Sequence, residues 1–85
     1  MTEQEIRDVV LRTLGRIAPE ADLTAVDPRQ DLREQLDLDS MDFLNFAIGL
    51  NDALGLDIPE RDYSKMSTLD ACVSYLDARS RLARR

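Results

Sequence analysis

The residues best placed for chemistry are Asp39, Ser40 and Asp42, at the predicted start of a helix in the stretch LDLDSMDFLNF, residues 36–46. The chain has no histidine, so no imidazole is present to take a proton from the Ser40 hydroxyl. Serine at a helix start usually serves as a cap. Its alternative use is as an attachment point, since a phosphate ester there would meet the positive end of the helix dipole. The flanking acids would repel that anion, which indicates that they address something positive, such as a partner's arginines or a metal carried by a modifying enzyme.

Other catalytic and metal-binding patterns are missing from the sequence. There is no glycine-rich phosphate loop, and DLDSMD lacks the glycine and terminal glutamate of a calcium loop. The single cysteine, Cys72, excludes an internal disulfide and a cysteine-based metal cluster. Its helical spacing from Leu69, Val73 and Leu76 predicts a small core residue. The chain is therefore not expected to be an enzyme, and no metal site is expected.

The first half of the chain reads as one helix followed by a long connection. Thr2 and Glu5 have capping-box spacing ahead of an apolar stripe, and Pro19 ends this helix. Asp27 followed by Pro28 favours one helical turn within the connection. Apolar side chains recur along residues 19–38 and are expected to hold the connection against the core: Leu23, Val26, Leu32, Leu36 and Leu38.

The second half reads as a long helix, a short helix and a last helix. The long helix begins at Asp39 or Ser40 and ends at Gly55, a residue suited to the left-handed position that follows a helix. Pro59 begins the short helix, and Ser67 with Asp70 has the spacing of a cap and its acid before the last helix. The sequence therefore predicts one all-α domain over residues 1–85, a small four-helix bundle with three longer helices, one short helix and a long first loop.

Charge is distributed unevenly along the chain. The net charge is −6, yet residues 20–62 contain twelve acids and three bases, and the end of the chain has arginines at positions 79, 81, 84 and 85. An acidic middle disfavours nucleic acid and anionic membranes and favours partners with a basic patch. The N-terminal MTEQEIRD has no apolar stretch, and no apolar run is long enough to cross a bilayer. These features predict a cytoplasmic protein without membrane insertion.

Three stretches together resemble the acyl carrier proteins. DLREQLDLDSMDF is similar to the family signature DL…LG.DSLD, LGLDIPERD to its FG..IP..D element, and MSTLDACVSYL to its final helix. The resemblance covers nearly the whole chain and implies a covalent 4'-phosphopantetheine arm on Ser40, attached from coenzyme A by a phosphopantetheinyl transferase. It also implies that Asp39 helps engage the transferase and its magnesium, and that acyl groups are held as thioesters on the arm.

The resemblance further implies a docking surface on the second long helix and a shelter for cargo between helices. The partners would be acyl-transferring, ligase or synthase enzymes with basic patches, and the carrier itself would be a monomer. The implied docking residues are Met41, Asp42, Leu44, Ile48 and Asp52. Candidates for sheltering cargo, which would equally serve as ordinary core, are Leu32, Phe46, Leu50, Leu54, Ile58 and Met66.

The chain departs from the family pattern at several positions. Asp37 occupies the usual glycine position, where aspartate tolerates a left-handed backbone at some cost. Met41 replaces the usual leucine, which conserves volume. Asn45 and Asn51 stand where fatty-acid carriers usually have acids, and Phe43 and Phe46 are expected to make the helix surface more apolar. These departures favour a specialised carrier over the primary fatty-acid carrier.

Two alternatives share the predicted fold. An aminoacyl or peptidyl carrier usually has glycine and histidine near the serine, and LDLDS has neither. An unmodified helical interaction module would use Ser40 only as a cap. The leading prediction is a carrier of acyl intermediates in fatty-acid-like, polyketide or specialised lipid or secondary metabolism.

Overall fold

The structure, a computed structural model, describes residues 1–83. Helices are the only regular secondary structure in this part of the chain. The α-helices are α1 (Glu3–Ile17), α2 (Leu32–Gln35), α3 (Ser40–Leu54) and α4 (Leu69–Ala83), and two 3-10 helices cover Leu23–Ala25 and Glu60–Met66. The predicted all-α bundle with three longer helices and one short one is confirmed, and Glu60–Met66 is the short helix. Arg84 and Arg85 of the basic tail lie outside the described residues.

The long helices begin and end where local signals predict. The Thr2 hydroxyl accepts a hydrogen bond from the Glu5 amide at 3.1 Å, and the Glu5 carboxylate accepts one from the Thr2 amide at 3.0 Å. This reciprocal capping box satisfies two amides that have no acceptor within the helix. Gly55 ends α3 with φ of 65°, the left-handed conformation expected there.

Two predicted helix starts are wrong, one by several residues and the other by a single residue. Asp27 and Pro28 form a turn, in which the Asp27 carbonyl accepts from the amide of Gln30, and the helical turn begins later, at Leu32. Asp31 caps that turn, because its carboxylate accepts from two successive amides of α2. Before α4 the cap is Thr68, whose hydroxyl accepts from the Ala71 amide at 3.1 Å, and the expected cap Ser67 is one residue too early.

The connection between α1 and α3 is fixed by backbone contacts as well as by its apolar residues. The Leu32 amide donates to the Ser67 carbonyl at 2.7 Å, and the Asp70 amide donates to the Pro28 carbonyl at 3.0 Å. The Gln35 side chain donates to two carbonyls of the same connection and accepts from the Asp27 amide. The connection therefore holds α2 against the start of α4.

The core lies where α1 packs against both α3 and α4. Phe43 and Phe46 are 5% and 0% exposed and meet edge to face with ring centroids 5.6 Å apart. The expectation that these two rings make the helix surface more apolar is therefore wrong. They share the buried face of α3 with Ala47 and Leu50, at spacings of three and four residues.

Candidate functional site

Ser40 is the first residue of α3 and is exposed. The cap is the preceding residue: the Asp39 carboxylate accepts from the Asp42 amide at 2.8 Å, and the Asp42 carboxylate accepts from the Asp39 amide at 3.2 Å. Because Asp39 caps the helix, the Ser40 hydroxyl is not needed for capping. The structure thus places the predicted serine at the edge of the helix start, with its two flanking acids tied into one capping box.

A left-handed turn presents this helix start. Asp37 has φ of 54°, which is the backbone conformation expected from its occupation of a glycine position. The Leu38 amide then donates to the Arg33 carbonyl at 2.9 Å, and the Leu38 side chain is buried. The turn therefore folds the chain back so that the end of α2 lies beside the start of α3.

Arg33 is the side chain that this turn brings to Ser40, and our sequence reasoning missed it. Its Nη2 donates a hydrogen bond to Ser40 Oγ at 3.2 Å. The guanidinium carbon also lies 6.0 Å from the centroid of the Phe43 ring, within the range of a cation–π contact. Together with Met41 and Tyr63, these residues line part of an open cleft of about 570 Å³ beside Ser40. The only sequence signal was that Arg33 is the basic residue nearest to Ser40 in the chain.

The predicted docking residues fall on two faces of α3. Met41, Leu44 and Ile48 are 63%, 37% and 49% exposed, and their spacing aligns them along one side of the helix. Asp52, also exposed, follows four residues after Ile48 on the same side. We call these four residues the exposed stripe. Asp42 is half-buried and lies apart from the stripe, in a second groove that Glu20, Asp22 and Asp37 also line.

The two asparagines of α3 differ in what they do. Asn45 is exposed. Asn51 donates from its side-chain amide to the Leu56 carbonyl at 2.5 Å and so holds the segment that follows Gly55. A carboxylate at position 51 could not donate this hydrogen bond. Asn51 therefore has a structural role, and its presence is not simply the loss of an acidic docking residue.

The candidates for sheltering cargo lie in the core. Leu54 is partly buried and Ile58 is 8% exposed. The other four are 0% exposed: Leu32, Phe46, Leu50 and Met66. Cys72, also 0% exposed, is confirmed as a core residue, and burial raises the pKa of its thiol to about 12. None of these buried side chains lines the cleft beside Ser40, although that cleft reaches the core at Phe43.

A polar cluster fastens the second 3-10 helix to α4. The Tyr75 hydroxyl donates to the buried Asp62 carboxylate at 2.6 Å, and Lys65 and Arg79 lie 3.3 and 3.6 Å from the same carboxylate. The hydrogen bond from Tyr75 lowers the pKa of Asp62, and the Lys65 charge acts in the same direction. None of these four side chains lines the cleft beside Ser40, and the cluster serves the fold.

Within residues 1–83, no group of acidic or cysteine side chains is arranged to hold a metal ion. Over the same residues, no helix is both long and apolar enough to span a membrane.

The described residues form a helical bundle that exposes a serine at the start of its second long helix, and comparison with known proteins identifies the family. Residues 4–76 match the family model described as a phosphopantetheine attachment site. The acyl carrier protein of Rubrobacter xylanophilus is 30% identical over 73 residues, covering 86% of this chain and 84% of that protein. That of Lactobacillus johnsonii is 31% identical over 77 residues, covering 89% and 94%.

The chain therefore belongs to the acyl carrier protein family, whose covalent cofactor is 4'-phosphopantetheine. The solved structure of the acyl carrier protein from Enterococcus faecalis has the same fold, with a TM-score of 0.78 over 93% of this chain and 99% of that one. Its sequence identity is 24%, so this likeness bears on the fold alone.

Proposed function

We propose that Ser40 bears the 4'-phosphopantetheine arm and that the chain delivers acyl intermediates to partner enzymes without catalysing a reaction itself. The observation that carries this proposal is the exposed Ser40 hydroxyl at the first position of α3, which has no capping role because Asp39 provides the cap. The first amides of α3 have no acceptor within the helix, so the serine oxygen lies where a phosphate would be favoured. When attached, the arm supplies a thiol on which acyl groups are held as thioesters.

Modification needs a second protein. Among the described residues, the side-chain hydrogen bond to Ser40 Oγ comes from Arg33, whose guanidinium has only donors and cannot accept the serine proton. We therefore expect the transferase to supply the base that takes the serine proton. Asp39, exposed beside Ser40, is the residue we expect the transferase and its magnesium to contact.

The exposed stripe is the surface we propose for docking of the enzymes that use the cargo. It combines three apolar side chains with the carboxylate of Asp52, so a complementary partner has an apolar pocket bordered by a basic patch. Asp42 would meet such a partner from the neighbouring face. Exposed charges act over only about 8 Å at physiological ionic strength, so added salt is expected to slow association more than it speeds dissociation.

We also propose a dedicated pathway in preference to primary fatty-acid synthesis. The support is the composition of the exposed stripe, where Met41, Leu44 and Ile48 outnumber its one acid. In cells lacking their primary carrier, this chain is expected not to restore growth. Normal growth, with the chain charged by the primary enzymes, would contradict the dedicated role while leaving Ser40 as the attachment site.

Attachment is tested by intact-mass measurement after incubation with coenzyme A and a broad-specificity transferase. We expect one added arm on the wild-type chain and none on Ser40→Ala, with circular dichroism confirming that both are folded. No addition to the folded wild type would refute the carrier and leave a helical interaction module. An arm loaded only with amino acids would instead identify a peptidyl carrier.

Docking is tested with Ile48→Ser against Leu82→Ser. Both remove an exposed aliphatic side chain from a helix, but Leu82 is 63% exposed on α4 and is not part of the stripe. The Ile48 variant is expected to lose affinity for a cognate enzyme by about five- to thirtyfold, corresponding to 1–2 kcal/mol of buried aliphatic area. Equal affinities for the two variants would exclude the stripe as the interface.

A further inference from the structure

We propose that the Arg33 guanidinium binds the phosphodiester through which Ser40 holds its arm, so that Arg33 is a positioning residue for the arm. The inference rests on the proposed attachment at Ser40. It concerns a residue at a position that the family signature leaves open, within the stretch DLREQLDLDSMDF, and the structure brings its side chain against the serine.

The distance between the two groups is suited to this role. Arg33 Nη2 already lies 3.2 Å from Ser40 Oγ. In a phosphodiester the phosphorus is bonded to that oxygen. The two non-bridging oxygens are bonded to the phosphorus and so lie two bonds from Ser40 Oγ. These oxygens carry the negative charge and are stronger acceptors than a hydroxyl. A guanidinium offers several donors in a planar fork that matches a phosphate, so a small side-chain rotation suffices to bind it.

The base of the Arg33 side chain is held firmly. Asp31 accepts from the Arg33 amide at 2.8 Å, and the neighbouring Leu32 is fully buried with its amide bonded to the Ser67 carbonyl. The guanidinium end lies against the Phe43 ring, which is buried and 5.7 Å from the Tyr63 ring. A donor held in place before the phosphate arrives loses little conformational entropy on binding it.

The charge of Arg33 is also available. Arg33 takes part in none of the ion pairs formed between described residues, whereas Arg7, Arg79 and Arg81 each pair with a carboxylate. The attached phosphate would lie near Asp39 and Asp42, whose charges repel it. Arg33 offsets that repulsion on the side facing the cleft, where Met41 and Tyr63 provide the walls. The arm would therefore leave the serine toward the cleft rather than along a random direction.

The experiment compares apo and holo forms of the wild type, Arg33→Gln and the matched control Arg29→Gln. Arg29 is exposed in the same connection, and its side chain makes no hydrogen bond or ion pair with the other described residues, so its loss removes equal charge without this contact. We expect the ³¹P resonance of the holo protein to move in Arg33→Gln and to stay in place in Arg29→Gln. Added salt should move the wild-type resonance toward that of Arg33→Gln, because the ion pair is exposed to solvent.

Urea unfolding provides the second readout. The ratio of holo to apo unfolding constants is expected to change about two- to fivefold in Arg33→Gln and to stay at the wild-type value in Arg29→Gln. Taking the ratio removes the effect of losing the Phe43 contact, which is common to both forms. If Arg33→Gln does not fold, Arg33→Lys serves instead, since it keeps the charge and loses the planar fork; a ³¹P shift is expected there too.

The outcomes separate this inference from the proposed function. Intact mass first shows whether each variant accepts the arm. If the wild type stays unmodified, the attachment at Ser40 fails. If all variants carry the arm while the ³¹P resonance and the holo-to-apo ratio are the same in Arg33→Gln as in the wild type, the Arg33 contact is refuted and the carrier function stands.

Discussion

The contact between Gly49 of α3 and Thr13 of α1 makes a prediction about stability whose two opposing contributions can be measured separately. A Cβ atom added at Gly49 would lie 2.8 Å from Thr13 Cγ2, a distance that real Cβ atoms essentially never show. Alanine is favoured over glycine inside a helix by about 1 kcal/mol. Overpacking a filled core costs about 1–3 kcal/mol. Thr13 is buried and its hydroxyl donates to the Val9 carbonyl at 2.8 Å, so it cannot readily turn its methyl away. Gly49→Ala is therefore expected to lower the free energy of unfolding by about 1 kcal/mol.

Removing the opposing methyl should reverse the sign. In a Thr13→Ser background, which lacks Cγ2, Gly49→Ala is expected to raise the free energy of unfolding by up to about 1 kcal/mol. The four proteins form a double-mutant cycle with a coupling energy of about 2 kcal/mol, measured by urea denaturation followed by circular dichroism. Gly15→Ala is the control, because its nearest neighbour is the end of the Leu23 side chain at 3.1 Å. Additive effects within about 0.5 kcal/mol would refute this account of the helix contact.

Three further predictions concern a helix cap, the buried thiol and a tyrosine. Asp39→Ala should lower the free energy of unfolding by about 1 kcal/mol in urea denaturation, whereas Asp39→Asn, which keeps an acceptor, should lose less. Burial raises the pKa of Cys72 to about 12. A thiol reagent near pH 8 should therefore label the thiol of the arm and leave Cys72 unlabelled until urea is added. Two labels on the native holo protein, counted by mass, would contradict this. Burial, reinforced by the hydrogen bond to Asp62, raises the pKa of Tyr75 from 10.0 to about 12. The resulting contribution to the free energy of unfolding is complete below pH 10 and is lost as the pH rises toward 12. Alkaline unfolding followed by circular dichroism should therefore show a steeper loss of stability for the wild type than for Tyr75→Phe. Parallel curves for the two proteins would argue against the shift.

Helix ends with strong local signals were predictable from the sequence. The boxes at Thr2 and Asp39 and the stop at Gly55 each depend on residues no more than four apart, so the chain specifies them without tertiary help. Where two neighbouring residues could each cap a helix, the sequence did not decide between them. Ser67 and Thr68 are adjacent and both carry hydroxyls, and only the packing of α4 decides that Thr68 is the cap.

The orientation of α3 was not predictable, because the helix is apolar on more than one side. Phe43 and Phe46 or Met41 and Leu44 could each have formed the buried face by spacing alone. The structure buries the aromatic pair in the common core, where the larger rings remove more apolar surface from water, and leaves Met41 and Leu44 exposed. The exposed stripe therefore results from competition for one core, a property of the whole bundle that a single helical pattern does not contain.

The residues around Ser40 were likewise only partly predictable from the sequence. The serine was found from residues adjacent to it, but the cation beside it depends on where the preceding helical turn begins. Had that turn started at Pro28, as expected, Arg33 would have followed it instead of standing on its first turn. The turn starts at Leu32 because Leu32 is buried and bonded to the Ser67 carbonyl, a contact 35 positions away in the chain. The left-handed Asp37 then reverses the chain and brings Ser40 back to Arg33. A local motif can thus mark a proposed attachment site, while tertiary contacts decide which cation lies beside that site.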